Sequence, residues 1–378
     1  MLTKEATIIL HSAKVNITDE DNKIIIDKVS SGIDWGKFLY LCIHHRVAPL
    51  VYKTFSELNI FNYVEKHIAR VIKGECNRIR LHNETIFNEV QIISKSFSEF
   101  GIKAILLKGI MLGHSVYKDI ALREFGDMDY LVHVDDLSKA TEALEKLGYL
   151  QGYYDVNKHQ ITKATKREKM LHRINTHEII QFNKLIDSNF CSVLEVDVNF
   201  DIIWKGNPRL KEIYILDISD IIKNSIQISF GDTKVLSLNP EYQLLQLCTH
   251  LYSEAVYFCY DPDWLRDKGD LNLIKFCDIY ELIQQEKIDW KYFAEIVHKN
   301  KISKPVFYTL YLLSLLFKDT IPQNLLESLN VDPEIIDIYY DESGNTRRWD
   351  LGFFDRMFEI DKKVSEINQK GVYTKSSE

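Results

Sequence analysis

Asp127-Met128-Asp129 opens an alternating run that continues Tyr130-Leu131-Val132-His133-Val134. Residues two apart on a strand project from the same face, so a strand here holds both carboxylates close enough to share a cation. Such oxygen ligands suit Mg²⁺, which is commonly bound through one or two carboxylates, substrate phosphates and water. An isolated pair of this kind is more often solvated, so the neighbouring motifs decide its meaning. Upstream, Leu106-Leu107-Lys108-Gly109 places a lysine and a flexible glycine between a strand-like run, Ile102 to Leu107, and a helix-like stretch to Tyr117. Backbone N–H groups at a helix start favour an anion, and Lys108 adds a point charge suited to phosphate. By itself this is also an ordinary strand-to-helix turn with a surface lysine. Downstream, Val193 to Asn199 alternates so that Glu195, Asp197 and Asn199 share one face while Leu194, Val196 and Val198 share the other. Acids on such a strand need a partner where they are buried, and a divalent cation supplies one.

The elements that position these residues follow from periodicity. Residues 1–95 read as an N-terminal helical region, with Trp35, Phe38, Leu39, Cys42 and Val47 at helical spacing and Asp34 as N-cap. A long helix, Ile60 to Phe100, carries Val71, Ile79, Ile86, Val90, Ile93 and Phe97 on one face, and Gly101 stops it. Residues 96–205 form the core that holds the acids. After the Asp127 strand come a helix, Leu137 to Leu147, ended by Gly148, and two strands, His177 to Phe182 and Ser192 to Asp201. Those strands pair as a hairpin through a loop containing Asp187, Ser188 and Asn189, which brings His177 opposite Glu195 and within reach of an acceptor, although a lone histidine is more often structural. Residues 206–360 read as a C-terminal helical domain, with helices Tyr242 to Phe258, Leu271 to Gln285, Trp290 to Lys299 and Pro305 to Phe317, and residues 361–378 as a frayed polar tail. The expected class is α/β (α+β), a small mixed-sheet core flanked by N-terminal and C-terminal helical regions.

This combination of a glycine turn, spaced acids and a later acidic strand resembles the polymerase-β-like nucleotidyltransferase superfamily. It resembles more closely a poorly characterised bacterial branch in which leucine-lysine-glycine replaces the usual Gly-Ser turn. The elements stand in the branch's order: Leu107-Lys108-Gly109, Tyr117, Arg123, Asp127-Met128-Asp129 and Leu131-Val132, with Gly148-Tyr149 ending the next helix. Asp34-Trp35 through His45-Arg46-Val47-Ala48-Pro49-Leu50, then Leu238 to His250 and Asp278 to Asp289-Trp290, resemble the flanking helical signatures. The resemblance implies a metal-dependent enzyme that moves an NMP, AMP favoured, from an NTP to a hydroxyl of a small molecule or peptide, releasing pyrophosphate. It assigns Asp127 and Asp129 to Mg²⁺, with Mn²⁺ as a substitute, and Lys108, Gly109 and Arg123 to the nucleotide. Glu195 takes the place of the third carboxylate, a metal ligand or general base. Where the branch has a histidine two residues later this chain has Asp197, so Asp197 stays open as the functional acid. Arg123 either neutralises triphosphate charge or pairs with Glu124 or Asp127.

Composition narrows the partners. Lys and Arg total 47 against 55 Asp and Glu, a net charge of −8, which argues against broad coating of nucleic acid or anionic membrane. The basic stretch Lys163, Lys166, Arg167, Lys169, Arg173 lacks interleaved aromatics and reads as a solvated helix face. Val306 to Phe317 falls short of the roughly 20 apolar residues that span a bilayer, and the N-terminus lacks the order of a secretory signal. The six cysteines form no CxxC pair, as in reduced thiols, so a cytoplasmic protein is expected. Two other classes use the same residues: a catalytically retired nucleotide-binding or scaffold protein, and a toxin-like transferase acting on a protein or tRNA.

Overall fold

The computed structural model describes residues 2–188, 190–203, 214 and 216–371. The chain is mixed α/β. It begins with α1 (Lys4–Ser12), α2 (Asp19–Ser30), α3 (Trp35–His44), α4 (Ala48–Glu57) and the long α5 (Lys66–Glu99). Next come β1 (Ile105–Leu106), α6 (Lys108–Ser115), β2 (Asp127–Leu131), α7 (Leu137–Lys146), β3 (Leu150–Asp155), β4 (Gln160–Lys163), α8 (Lys166–Asn175), β5 (Phe182–Leu185) and β6 (Val193–Asn199). After α9 (Ile218–Lys223), β7 (Ile226–Phe230) and β8 (Thr233–Ser237), the chain returns to helices: α10 (Pro240–Ser253), α11 (Pro262–Asp267), α12 (Leu273–Gln285), α13 (Trp290–Lys299), α14 (Ser303–Leu316) and α15 (Gln323–Ser328). A short pair, β9 (Ile338–Tyr340) and β10 (Thr346–Arg348), precedes α16 (Phe353–Phe358) and α17 (Ile360–Lys370). No helix among the described residues is long and apolar enough to cross a membrane.

Two compact units result. The described parts of Met1–Cys76 and Leu247–Glu378 form a helical unit, and those of Asn77–Lys205 and Tyr214–Gln246 form a unit built on a sheet. In the helical unit Asp34 caps α3 by accepting from the Lys37 N–H at 2.9 Å. The Nδ1 of His45, at the end of α3, accepts from the Leu273 N–H at 3.2 Å, which ties an early helix to a late one. The stretch expected as a frayed tail is helical: Ile360, Val364 and Ile367 recur at helical spacing on α17 and are buried. Lys363 on the same helix is buried against Asp270. Residues 372–378 of that tail, and Asn189 of the expected hairpin loop, lie outside the described residues.

In the other unit the strand order is β4-β3-β5-β6-β2-β1-β8-β7. β2 runs parallel to β6 and β1 parallel to β8, while the remaining pairs are antiparallel, so the sheet is mixed. One face carries the core. Met128 and Tyr130 of β2 and Leu194, Val196 and Val198 of β6 pack there with Ile86, Val90, Ile93 and Phe97 of α5 and with Ala140, Ala143 and Leu144 of α7. The period-two alternation therefore sends Asp127, Asp129, Glu195 and Asp197 to the opposite face. Val71, expected on the apolar face of α5, is 49% exposed, and its neighbour Ile72 is buried instead.

Candidate active site

Parallel pairing sets β2 and β6 in a register that puts Asp127 beside Glu195 and Asp129 beside Asp197. Carboxylate oxygens of Asp127, Asp129 and Asp197 lie within 4.8 Å of one another. Glu195, first in line as the third carboxylate from the sequence, stands outside this group, and Asp197 completes it. The parallel register accounts for this grouping, since it aligns Asp197 with Asp129 and Glu195 with Asp127.

Lys108 begins α6 directly after β1, and the Leu107 N–H donates to the Asp129 carbonyl at 2.9 Å, which locks that turn to β2. The Lys108 Nζ then reaches Asp129 Oδ1 at 2.9 Å. Its backbone is left-handed, with φ +50°, a conformation that costs energy for a residue bearing a Cβ and that clusters at functional sites. No side chain caps the start of α6, leaving its first N–H groups directed outward from the helix.

Gly109 is required by close approach. A Cβ there would lie 2.6 Å from Arg123 Nη1 and 2.9 Å from Phe125 Cβ, so the arginine packs over the turn. Arg123 Nη1 donates to the Glu124 carbonyl at 2.6 Å, while Glu124 itself pairs with Arg78 Nη2 at 2.5 Å. The loop is held from α5, whose Asn83 Nδ2 donates to the Arg123 carbonyl at 2.8 Å and to the Ile120 carbonyl. His82 Nε2, 3.0 Å from the Phe125 carbonyl, holds it further along. Arg78, His82 and Asn83 escape a sequence reading because their partners are 37 to 46 residues away.

His177 is not opposite Glu195. The hairpin exists, but its strand β5 starts at Phe182, and Glu195 pairs with Asn183. The His177 carbonyl instead accepts from the Phe200 N–H at 2.9 Å, beyond the end of β6. The slip follows from the hairpin register: with Asn183 opposite Glu195, the chain six residues earlier lies beyond the C-terminal end of β6, where Glu178 bridges to Asn199. That bridge brings in an acid the sequence did not suggest. Glu178 adjoins the group closely enough for Asp127 and Asp129 to raise its affinity for a proton.

Electrostatics follow from four acids and one lysine. Burial, then the Asp127, Asp129 and Glu178 charges, push Asp197 well above the usual carboxylate range, with Lys108 opposing. Burial pushes Asp129 up too, opposed by Lys108 and reinforced by Asp127. Burial likewise pushes Glu178 up to about 7, against the pull of Lys108. For Lys108 burial works against the charge, but the Asp129 and Asp127 carboxylates outweigh it and hold the ammonium above its ordinary value. Three carboxylates on two strands, of which Asp129 is buried, facing a single lysine, are a donor set that fits a hard divalent cation.

Residues 31–318 match the family described as Uncharacterised nucleotidyltransferase. The chain belongs to that family. A solved structure that this chain is similar to is an antigenic nucleotidyltransferase-like protein from Paracoccidioides brasiliensis, 13% identical, with 65% of this chain and 93% of that chain covered and a TM-score of 0.33. A likeness that loose carries no argument. No protein of curated function matches the chain.

Proposed function

We propose that this family member is a metal-dependent nucleotidyltransferase that moves an NMP from an NTP to a hydroxyl of a small molecule or peptide and releases pyrophosphate. The observation that carries the reading is the convergence of Asp127, Asp129 and Asp197 beside the Lys108 turn. In this reading the three carboxylates hold Mg²⁺, or Mn²⁺ in its place, which when bound supplies charge neutralisation for phosphoryl transfer. Lys108 and the uncapped start of α6 take the phosphate tail of the donor. Gly109 keeps that surface open, and Arg123, held from α5, adds positive charge beside it. The acceptor oxygen forms a bond to the α-phosphorus as the bond to the bridging oxygen breaks, pyrophosphate departs with the electron pair, and the hydroxyl proton passes to a carboxylate. Positioning and electrostatics do most of the work in such in-line chemistry.

Asp197 is preferred over Glu195 for the third carboxylate on the same convergence. AMP is the monophosphate to test first. A reducing, cytoplasmic setting belongs to this reading, all six cysteines being free thiols. Calorimetric titration of the four NTPs, with Mg²⁺ and with EDTA, into wild type and Asp129→Asn tests it. Metal-dependent binding of one NTP, lost in the variant, is the expected result; an NTP affinity indifferent to both metal and variant contradicts it.

A further inference from the structure

The basic stretch that reads from the sequence as a solvated helix face is α8 with the end of β4, and its surface is not only polar. Residues 163–173 carry five cations, Lys163, Lys166, Arg167, Lys169 and Arg173, against the one acid Glu168, in a chain whose net charge is −8. Glu168 is used at the start of the helix, where it accepts from the Thr165 N–H at 2.7 Å. Among the described residues none of the five cations has an acidic partner. α8 buries no residue. Lys169 and His172, three apart, are its half-buried members, so the helix leans on the sheet unit through them and turns Arg167, Met170, Leu171 and Ile174 outward. Met170 is 59% exposed, Leu171 45% and Ile174 70%. Single exposed apolar residues are ordinary, but three so close together, ringed by unpaired cations, mark a surface that meets something. Beside this ridge, between α8 and the start of α7, a cavity of about 420 Å³ is lined by Leu137, Met170, Ile174 and Ile179 with Lys169 and Arg173. Apolar walls beside two cations complement an amphiphile whose anionic head adjoins hydrocarbon.

We infer that α8 docks the protein on an anionic lipid bilayer, with Met170, Leu171 and Ile174 entering the headgroup boundary and the cations around them meeting lipid phosphates. Basic amphipathic helices of low overall hydrophobicity lie in that interface and do not cross it. The negative balance of the rest of the chain confines the contact to this one face. The observations favour a bilayer over two other occupants. Nucleic acid would satisfy the cations but not the aliphatic ridge, and residues 163–175 hold no Phe, Tyr or Trp on which bases stack. A second copy seated on the same face would bring five cations against five. The inference does not depend on nucleotidyl transfer.

Sedimentation of the full chain with vesicles tests it, using phosphatidylcholine alone and phosphatidylcholine mixed equally with phosphatidylglycerol. Binding to the mixed vesicles is expected to exceed binding to the neutral ones at least tenfold and to weaken as salt is raised. Removing three charges together, Lys166→Gln, Arg167→Gln and Arg173→Gln, is expected to lower binding at least tenfold. Met170→Ser with Ile174→Ser is expected to lower it several-fold while the salt dependence persists. All five positions are exposed, and an unchanged thermal midpoint establishes that each variant keeps the fold. Equal binding to the two vesicle types, no binding to either, or indifference to the serine pair overturns the inference. So does a mixed-sequence RNA that binds more tightly than the vesicles and ignores the serine pair, which assigns the face to nucleic acid. Self-association that the serine pair abolishes, without vesicle binding, overturns it in favour of a second copy.

Discussion

Each unit of the molecule buries aspartate against lysine, with opposite balance. In the helical unit Lys363 meets Asp270 one to one, and Asp21 is shared by Lys14 at 2.7 Å and His11 at 2.6 Å. In the sheet unit a single lysine, Lys108, faces Asp127, Asp129 and Asp197, with Glu178 close by. Burial opposes the charge of Asp21, yet hydrogen bonds from His11, Lys14 and the Thr18 N–H, with the Lys14 charge, hold it well below the usual carboxylate range. Asp129 goes the other way, because burial and the Asp127 charge outweigh Lys108. At Asp270 and Asp21 each buried acid is met by at least one cation. At β2 and β6 the carboxylates outnumber Lys108, which is the imbalance the proposed divalent cation would offset.

The comparison can be broken most forcefully at Asp129. Asp129→Asn removes one metal charge at constant volume, and we expect transfer to fall by at least about 10²–10³-fold with an unchanged thermal midpoint, read by labelled-nucleotide turnover and calorimetry. In the helical unit Lys363→Met strands a buried Asp270, and stability should fall by about 3–5 kcal/mol in urea unfolding. Adding Asp270→Asn, which keeps an acceptor for the Leu271 N–H, should recover part of that loss, since the remaining charge is gone; no recovery would mean the pair is not what the core depends on. Gly109→Ala forces a methyl group against Arg123 and Phe125, with an expected cost of about 1–3 kcal/mol and a raised KM for the NTP. The smallest effect concerns pH. Because the folded value of Asp21 is depressed, its contribution is fully present above its unfolded value of about 4 and is lost as pH falls through the folded one. Asp21→Asn should flatten the acid limb of a stability–pH profile, and an unchanged slope would refute that assignment.

How legible this was depended on whether a residue's partner lay near it in sequence. Strict alternation in Asp127–Leu131 and Val193–Asn199 made both acidic strands and their shared face readable, and Trp290–Lys299 is helical over the span that its periodicity indicates. Lys108 and Gly109 were readable as a turn, but the left-handed lysine and the arginine packed over the glycine depend on the fold. The hairpin of β3 and β4 carries no clear signal in the sequence, because β4 is mostly exposed and lacks an apolar alternation. β7 and β8 turn through Gly231-Asp232, a turn signal in the sequence that the positive φ of Gly231 bears out. That Asp197 rather than Glu195 lies near Asp127 and Asp129, and that Glu178 adjoins them, depends on the parallel register and one bridge, both long-range facts. The end of the chain looked polar because only one face of α17 is apolar.

The surplus of acid on β2 and β6 is proposed to be a divalent-cation site completed by Asp197. Its most direct test is Mn²⁺ binding followed by electron paramagnetic resonance, with a non-hydrolysable ATP analogue present, in wild type, Asp197→Asn and Glu195→Gln. Bound Mn²⁺ is expected in wild type and in Glu195→Gln, and is expected to be lost in Asp197→Asn. Retention in Asp197→Asn with loss in Glu195→Gln, or no bound Mn²⁺ in wild type, would contradict it.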